Sequence, residues 1–292
     1  MKSEVPKIAF NPASKKTVHF EIIPIEKIAK NRKTFDHDPE QPHQIKFYNL
    51  IFYTKGSGKH FIDFNWHAVN QNSLVYVAKE QINAFQFSEG LEGFCMVFTE
   101  TYLTHCFPNL PKDFTFRLFS PQIFSPIVQI PNTSDFGSYF ELLLKEYNAL
   151  EENKKTIIDA LFVILVSKAE QVKQQQTQNK KSLEKIKLFQ KFMNRLELQN
   201  SKNRSAQFYA QELGVSYKHL NETCKTLLNK TAKTIITDFI VLQAKRSLIN
   251  SSIKSTELAY QLGFEEPTNF TKYFKKNTGF TPKQFIKSLK KE

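Results

Sequence analysis

Two stretches decide the reading of this chain: Ala206-Gln-Phe-Tyr-Ala-Gln-Glu-Leu-Gly-Val-Ser216, followed by Tyr217 to Leu227, and Thr256-Glu-Leu-Ala-Tyr-Gln-Leu-Gly-Phe264, followed by Pro267 to Asn277. Each has a short amphipathic helix pattern, an alanine (Ala210, Ala259), a Leu-Gly pair (Leu213-Gly214, Leu262-Gly263), an apolar residue and a further helix pattern. This is the grammar of a helix-turn-helix. A small alanine lets two helices cross closely. The glycine ends the first helix in a left-handed conformation that other residues adopt at a cost. Val215 or Phe264 then plugs the corner, Ser216 is placed to cap the next helix, and Pro267 suits a first turn, where its missing N–H is harmless. The two glycines, 214 and 263, set the repeat at 49 residues.

Outward from these stretches, helical periodicity runs from Leu183 onward. Leu183, Ile186, Phe189 and Met193 form one stripe, and Ile235, Ile236, Phe239, Ile240 and Leu248 mark a longer helix between the repeats. Taken from Thr234 to Asn250, that helix is about 25 Å long, a strut able to hold two helices near the ~34 Å between successive major-groove faces. The charge is concentrated here too. Residues 181–292 carry 21 Lys and Arg against 9 Asp and Glu, a net +12 of the chain's +13, and the first 180 residues are nearly neutral. A split of this kind points to two domains, one of which meets a polyanion.

Upstream, Gln171 to Ser182 is rich in Gln, Lys and Asn and reads as a linker. Before it, Phe136, Phe140, Leu143, Leu144 and Tyr147, then Ile157, Leu161, Ile164 and Leu165, predict two amphipathic helices within about 134–170, joined near Glu151–Lys155. The preceding stretch is β-type. Gln44 to Thr54, Lys59 to Val69, Ser73 to Ala78, Ala84 to Phe87 and Gly93 to Thr99 read as short strands of a small sandwich or barrel, with Gly56-Ser57-Gly58 as a turn. Residues up to about Asn31 read as an irregular lead-in and Arg32 to Pro42 as a loop. The 28 Phe either fill cores or line an apolar effector pocket; the sequence does not choose.

Several classes are excluded. The longest apolar run, Ile157 to Val166, contains Asp159, so no membrane span is expected. The N-terminus lacks a charged-then-apolar pattern, and the three cysteines lack metal spacing, which fits a cytoplasmic chain without a disulfide framework. No Ser-His-Asp order, phosphate loop or paired-carboxylate pattern appears, so no catalytic residues are assigned and the chain reads as a non-enzyme.

Residues from about 185 to 290 resemble the DNA-binding domain of the AraC/XylS family of bacterial transcription regulators. The resemblance rests on Glu257-Leu258-Ala259-Tyr260-Gln261-Leu262-Gly263-Phe264, Asn269-Phe270-Thr271-Lys272-Tyr273-Phe274-Lys275-Lys276 and Thr278-Gly279-Phe280-Thr281-Pro282. Residues 1–170 resemble the family's cupin-like sensor domains, and the helices at about 134–170 its dimerisation pair. The fold implied is a β-rich cupin-like barrel with two helices, a linker over 171–182, and an all-α domain over 183–292 with two helix-turn-helix motifs joined by a long helix. The function implied is sequence-specific regulation through double-stranded DNA, with a small-molecule effector, a homodimer, and RNA polymerase as a partner if the protein is an activator. Cys224, Asn229 and Ala232 stand where the family often has Phe, Gly and Pro, and Glu222 where Arg is common.

On the first of the two long helices Leu220, Cys224 and Leu227 point inward, leaving Tyr217, Lys218, Asn221, Glu222 and Lys225 outward. On the second, Phe270, Tyr273 and Phe274 point inward, leaving Thr268, Asn269, Thr271, Lys272 and Lys275 for DNA. The family's pattern implies base reading by Lys218, Asn221, Glu222, Thr268, Thr271 and Lys272: Asn can pair with adenine, Lys with guanine and Glu with cytosine. Lys275, Lys276 and Lys245 read as phosphate anchors. His43 stands where related cupins carry His-x-His, with Ile45 in place of the second histidine. His43, His60 and His67 are too scattered for a metal set, so they read as surface or hydrogen-bonded core histidines, and no metal or cofactor is assigned. Two other classes remain: a cupin-type metal-dependent enzyme with an incidental helical domain, and a non-specific DNA-binding protein.

Overall fold

The computed structural model describes residues 5–11, 19–109, 114–120, 123, 125–131, 135–150, 153–175, 183–199, 203–250 and 253–289. The chain divides into two units, residues 6–178 and residues 179–292 together with 1–5.

The first unit is built on two five-stranded sheets. The strands are β1 (Lys7–Ile8), β2 (Phe20–Pro24), β3 (His43–Ile45), β4 (Tyr48–Lys55), β5 (Ser57–Ile62), β6 (Asn65–Asn70), β7 (Ser73–Val77), β8 (Ile82–Gln86), β9 (Glu92–Phe98) and β10 (Ile127–Gln129). One sheet runs β1-β3-β8-β5-β6 and the other β10-β7-β4-β9-β2; only the β1–β3 pair is parallel among these pairings. Ile45, Ile51, Tyr53, Ile62, Val69, Val75, Val77, Phe85 and Val97 form one buried cluster drawn from both sheets. The outer face of the second sheet supplies Phe20, Leu50, Phe52, Leu74, Met96 and Phe98 to a larger cluster. This core is completed by α2 (Glu100–Cys106), α3 (Phe114–Phe119), α4 (Phe136–Asn148) and α5 (Lys154–Gln175). β4 is therefore covered on both faces.

Several expectations for this unit need correction. The lead-in to Asn31 is ordered where described: β2 pairs antiparallel with β9, and α1 (Ile25–Lys30) buries Ile25 and Ile28. Gln44 to Thr54 is two strands in different sheets, because the chain crosses over at Lys46-Phe47. Lys59 to Val69 is a hairpin whose turn, Asp63-Phe64, places both residues at positive φ (43° and 71°). Asp63 is held there by accepting hydrogen bonds from Gln81 Nε2 and the Ile82 amide. Gly56 (φ 79°) joins β4 to β5, and a Cβ at that position would meet the Gly90 carbonyl oxygen at 2.6 Å. Residues 171–175 of the expected linker complete α5, because Ala169 and Lys173 remain buried on its inner face. Residues 176–182 lie outside the described residues.

The second unit is helical: α6 (Leu183–Leu198), α7 (Ala206–Glu212), α8 (Tyr217–Leu228), α9 (Ala232–Asn250), α10 (Ser255–Gln261), α11 (Pro267–Thr278) and α12 (Pro282–Ser288). Its core holds Phe189, Phe192, Tyr209, Leu220, Cys224, Ile236, Ile240, Phe270 and Phe274. Among the described residues no helix is long and apolar enough to cross a membrane.

Candidate nucleic-acid interface

The α7–α8 and α10–α11 pairs are the same local structure built twice. In the first, Gly214 (φ 67°) donates to Gln211 O at 3.0 Å and Val215 to Ala210 O at 3.0 Å. In the second, Gly263 (φ 72°) donates to Tyr260 O at 3.0 Å and Phe264 to Ala259 O at 2.9 Å. This pair of bonds closes a helix end around a left-handed residue and satisfies carbonyls that the helix leaves open. Ala210 and Ala259 are fully buried, as the close crossing requires, and Phe264 is buried while Val215 is half-buried. Ser216 Oγ accepts the His219 amide at 3.1 Å, capping α8; α11 starts instead with Pro267 in its first turn and one more residue in the turn before it.

The likeness extends past the second helix of each pair. α8 ends at Asn229 (φ 54°), whose amide donates to Lys225 O at 2.9 Å, and α11 ends at Gly279 (φ 80°), whose amide donates to Lys275 O at 2.9 Å. Asparagine is one of the few side chains that tolerates this conformation, so its presence in place of glycine leaves the turn intact. Thr231 and Thr281 then cap α9 and α12, accepting from Thr234 N and Gln284 N.

The outward faces are mostly as the periodicity predicts. Tyr217, Lys218, Glu222 and Lys225 are exposed on α8, and Thr268, Asn269, Lys272, Lys275 and Lys276 on α11. Leu220, Cys224, Phe270 and Phe274 are fully buried, and Leu227 and Tyr273 half-buried. Glu222 and Lys272 occupy equivalent places in the two copies, so one copy presents a carboxylate where the other presents an ammonium.

Two of the expected readers are already engaged. Asn221 is half-buried, and its Oδ1 accepts the Ala232 amide at 3.1 Å, one of the donors that the start of α9 leaves open. In the second copy the place of Ala232 belongs to Pro282, which has no N–H to satisfy, and the place of Asn221 belongs to Thr271. The Thr271 hydroxyl donates to the Pro267 carbonyl within its own helix at 3.0 Å. Lys245, expected as a phosphate anchor, is half-buried with its Nζ 5.6 Å from the Phe285 ring centre.

Arg204 was not visible from the sequence, where it is one of two basic residues, with Lys202, in a polar stretch. Its guanidinium lies 3.5 Å from the centre of the Phe264 ring and donates to the Leu262 carbonyl at 3.2 Å.

The histidines of the first unit are core groups where buried. His43 Nδ1 is 2.9 Å from Gln41 O and its Nε2 3.2 Å from Asn83 Nδ2; His60 Nδ1 is 3.2 Å from the Tyr53 hydroxyl. Burial pulls His43 down to about 4 and His60 to about 3, so both are neutral at physiological pH. His67 is half-buried on β6. Among the described residues no group of three or more His, Cys, Asp or Glu is placed to hold a metal ion.

Residues 209–288 match the protein-family model described as a helix-turn-helix domain. The chain is 39% identical over 77 residues to an uncharacterized HTH-type transcriptional regulator in the cgkA 5′ region of Pseudoalteromonas carrageenovora, a match that is 26% of this chain and 45% of that protein. It is 34% identical over 77 residues to histidine kinase P4 of Formosa agariphila, which is 26% of this chain and 6% of that one. The chain thus matches less than half the length of these curated relatives. Among solved structures, ToxT from Vibrio cholerae is similar over 92% of this chain and 98% of its own, at 12% identity and a TM-score of 0.45. The C-terminal domain of the two-component response regulator yesN from Fusobacterium nucleatum is similar over 32% of this chain and 93% of its own, at 25% identity and a TM-score of 0.30.

Proposed function

We propose that this chain, whose C-terminal region carries an AraC-type helix-turn-helix domain, is a sequence-specific transcription regulator that reads two successive major grooves of duplex DNA with α8 and α11. The observation that carries the reading is the doubled turn-and-cap geometry, which presents two short polar helix faces in a unit of strong positive charge. In this reading Lys218 and Glu222 meet bases in one groove and Thr268, Asn269 and Lys272 in the next. Tyr217, Lys225, Lys275 and Lys276 hold the backbone. A carboxylate accepts from cytosine N4 and an ammonium donates to guanine, so Glu222 and Lys272 would make the two half-sites different in sequence. A non-specific binder would have no use for that difference.

The β-rich unit serves as the sensor of a small-molecule effector, and α4 with α5 as the contact for a second copy. Supporting the latter, Leu142 of α4 and Ile157, Ala160 and Ile164 of α5 leave apolar side chains exposed, the α5 residues at helical spacing. RNA polymerase is a further partner if the protein activates.

Selection of bound duplexes from a random pool, followed by footprinting, tests the DNA reading. The expected result is an asymmetric site with two protected patches about one helical turn apart. A pool that emerges unenriched would sink it. For the dimer, light scattering of the full chain at micromolar concentration should give twice the chain mass, and Ile164→Asp should return it to one.

A further inference from the structure

The two helix pairs share α9 as a common strut, and a second connection ties them directly. Arg204 lies just before α7, in a segment pinned to the first pair. The Asn203 carbonyl accepts the hydroxyl of the buried Tyr209 at 3.0 Å, Asn203 Oδ1 accepts the Ser205 amide at 2.9 Å, and Ser205 Oγ accepts the Phe208 amide at 3.3 Å. Its backbone therefore moves with α7. Its guanidinium belongs to the other pair. Nη2 donates to the carbonyl of Leu262, the residue that closes α10, where the helix dipole leaves partial negative charge. The guanidinium plane stacks at 3.5 Å from the Phe264 ring centre and lies 5.7 Å from the Tyr273 ring on α11. Phe264 and Tyr273 in turn pack edge to face, with ring centres 5.3 Å apart. Burial pulls the guanidinium below its usual range, and Nε is buried without a hydrogen-bond partner among the described residues. A residue kept at that cost, on a route from one turn to the other, is not a phosphate anchor.

We infer that Arg204 is a positioning residue that fixes α11 relative to the α7–α8 pair and so sets the spacing between the two DNA half-sites the chain accepts. The inference rests on the two-groove reading above. With the strap in place the second helix arrives at its groove already oriented, so the second contact forms at high effective concentration. Without it, the pairs are still joined through α9, which packs against both, and each pair still folds around its own turn. A lysine does not substitute, because the stack needs the flat guanidinium.

The test uses the full chain and a duplex selected by it from a random pool. Variants of that duplex carry an insert of half a helical turn between the half-sites, or retain one half-site alone. The wild-type chain should bind the parent duplex well above the inserted one. Arg204→Ala should bind the parent roughly tenfold more weakly, lose most of the difference between parent and insert, and bind the single half-site as the wild type does. Arg204→Lys should give the same pattern, and it carries the test if the alanine variant does not fold. Either variant keeping the wild-type ratio of parent to insert overturns the inference. So does a parallel loss on the single half-site, which would mark a purely structural role. A wild-type chain indifferent to the insert would instead sink the two-groove reading itself, and this inference with it.

Discussion

At the scale of single residues, Lys272 and Asn221 make the sharpest contrast. Both fall on outward helical positions by periodicity. Periodicity cannot see that Asn221 is claimed by the Ala232 amide, because the claim comes from the next helix. The signal was present in the sequence as Ala232 where its counterpart is Pro282. An N–H at that place needs an acceptor, and Asn221 supplies it. Asn221→Ala should therefore lower the stability of the helical unit by about 1 kcal/mol, as removal of a helix cap does. Adding Ala232→Pro removes the orphaned donor, so in a double-mutant cycle by thermal melting the second change should recover part of the loss. Strict additivity would show that the bond carries nothing. Lys272 is exposed and should behave in the opposite way. Lys272→Ala should leave the melting temperature unchanged, weaken binding by about 1–3 kcal/mol and relax preference at one or two base pairs. A gel-shift titration with unchanged affinity and an unchanged footprint would remove Lys272 from the readers.

At the scale of elements, the helical unit was far more legible than the β-rich one. α8, α9 and α11 begin and end within two residues of their expected bounds, because Ser216, Pro267, Asn229 and Gly279 punctuate a clear helical period. The sheets offer no such period. Tyr48 to Tyr53 is buried at every position, since β4 has a core on each face, and alternation disappears. β2 is five residues long and ends in Pro24, and α2 and α3 are a turn or two each, too short to register. α5 outran its expected end because Lys173 reads as polar, yet it is buried with its Nζ 4.0 Å from the centre of the Tyr76 ring. The two sheets do predict a pH response. His60 on β5 faces Tyr53, Phe85, Asn83, His43 and His67, and His43 on β3 faces His37, Asp38, Gln41 and Asn83. Both are held neutral in the folded unit, at about 3 and about 4, against 6.5 in the open chain. Below pH 6.5 the unfolded chain takes up protons that the folded one refuses. Stability of this unit is thus intact above neutrality and falls as pH drops from 6.5 toward 4. Melting curves across that range should show the fall, and His60→Gln should reduce the uptake on unfolding by about one proton near pH 5. An unchanged slope would show that His60 does not govern it.

At the scale of the whole molecule, the charge split has a definite consequence. Residues 181–292 hold a net +12, and the first 180 residues only +1. The structure spreads that charge unevenly: Lys218, Lys225, Lys272, Lys275 and Lys276 are exposed on α8 and α11, while Arg204 and Lys245 are folded onto aromatic rings. Not every cation in the helical unit is then available to phosphate. The domain alone, residues 183–292, should bind DNA without the β-rich unit, because the helix pairs and their strut all lie within it. Each lysine that meets a phosphate displaces condensed counterions, so affinity should fall steeply with salt. With about six such contacts, the loss from 50 to 200 mM is roughly 10³-fold. The slope of log affinity against log salt counts the contacts, at about 0.9 per phosphate, and should drop by about one in Lys275→Ala. It should stay at the wild-type value in Lys245→Ala, whose ammonium sits over Phe285. Equal slope losses in the two variants would show that Lys245 leaves its ring on binding. A fragment whose affinity barely changes with salt would remove phosphate contact as the driver, and with it the reason for gathering the charge in this part of the chain.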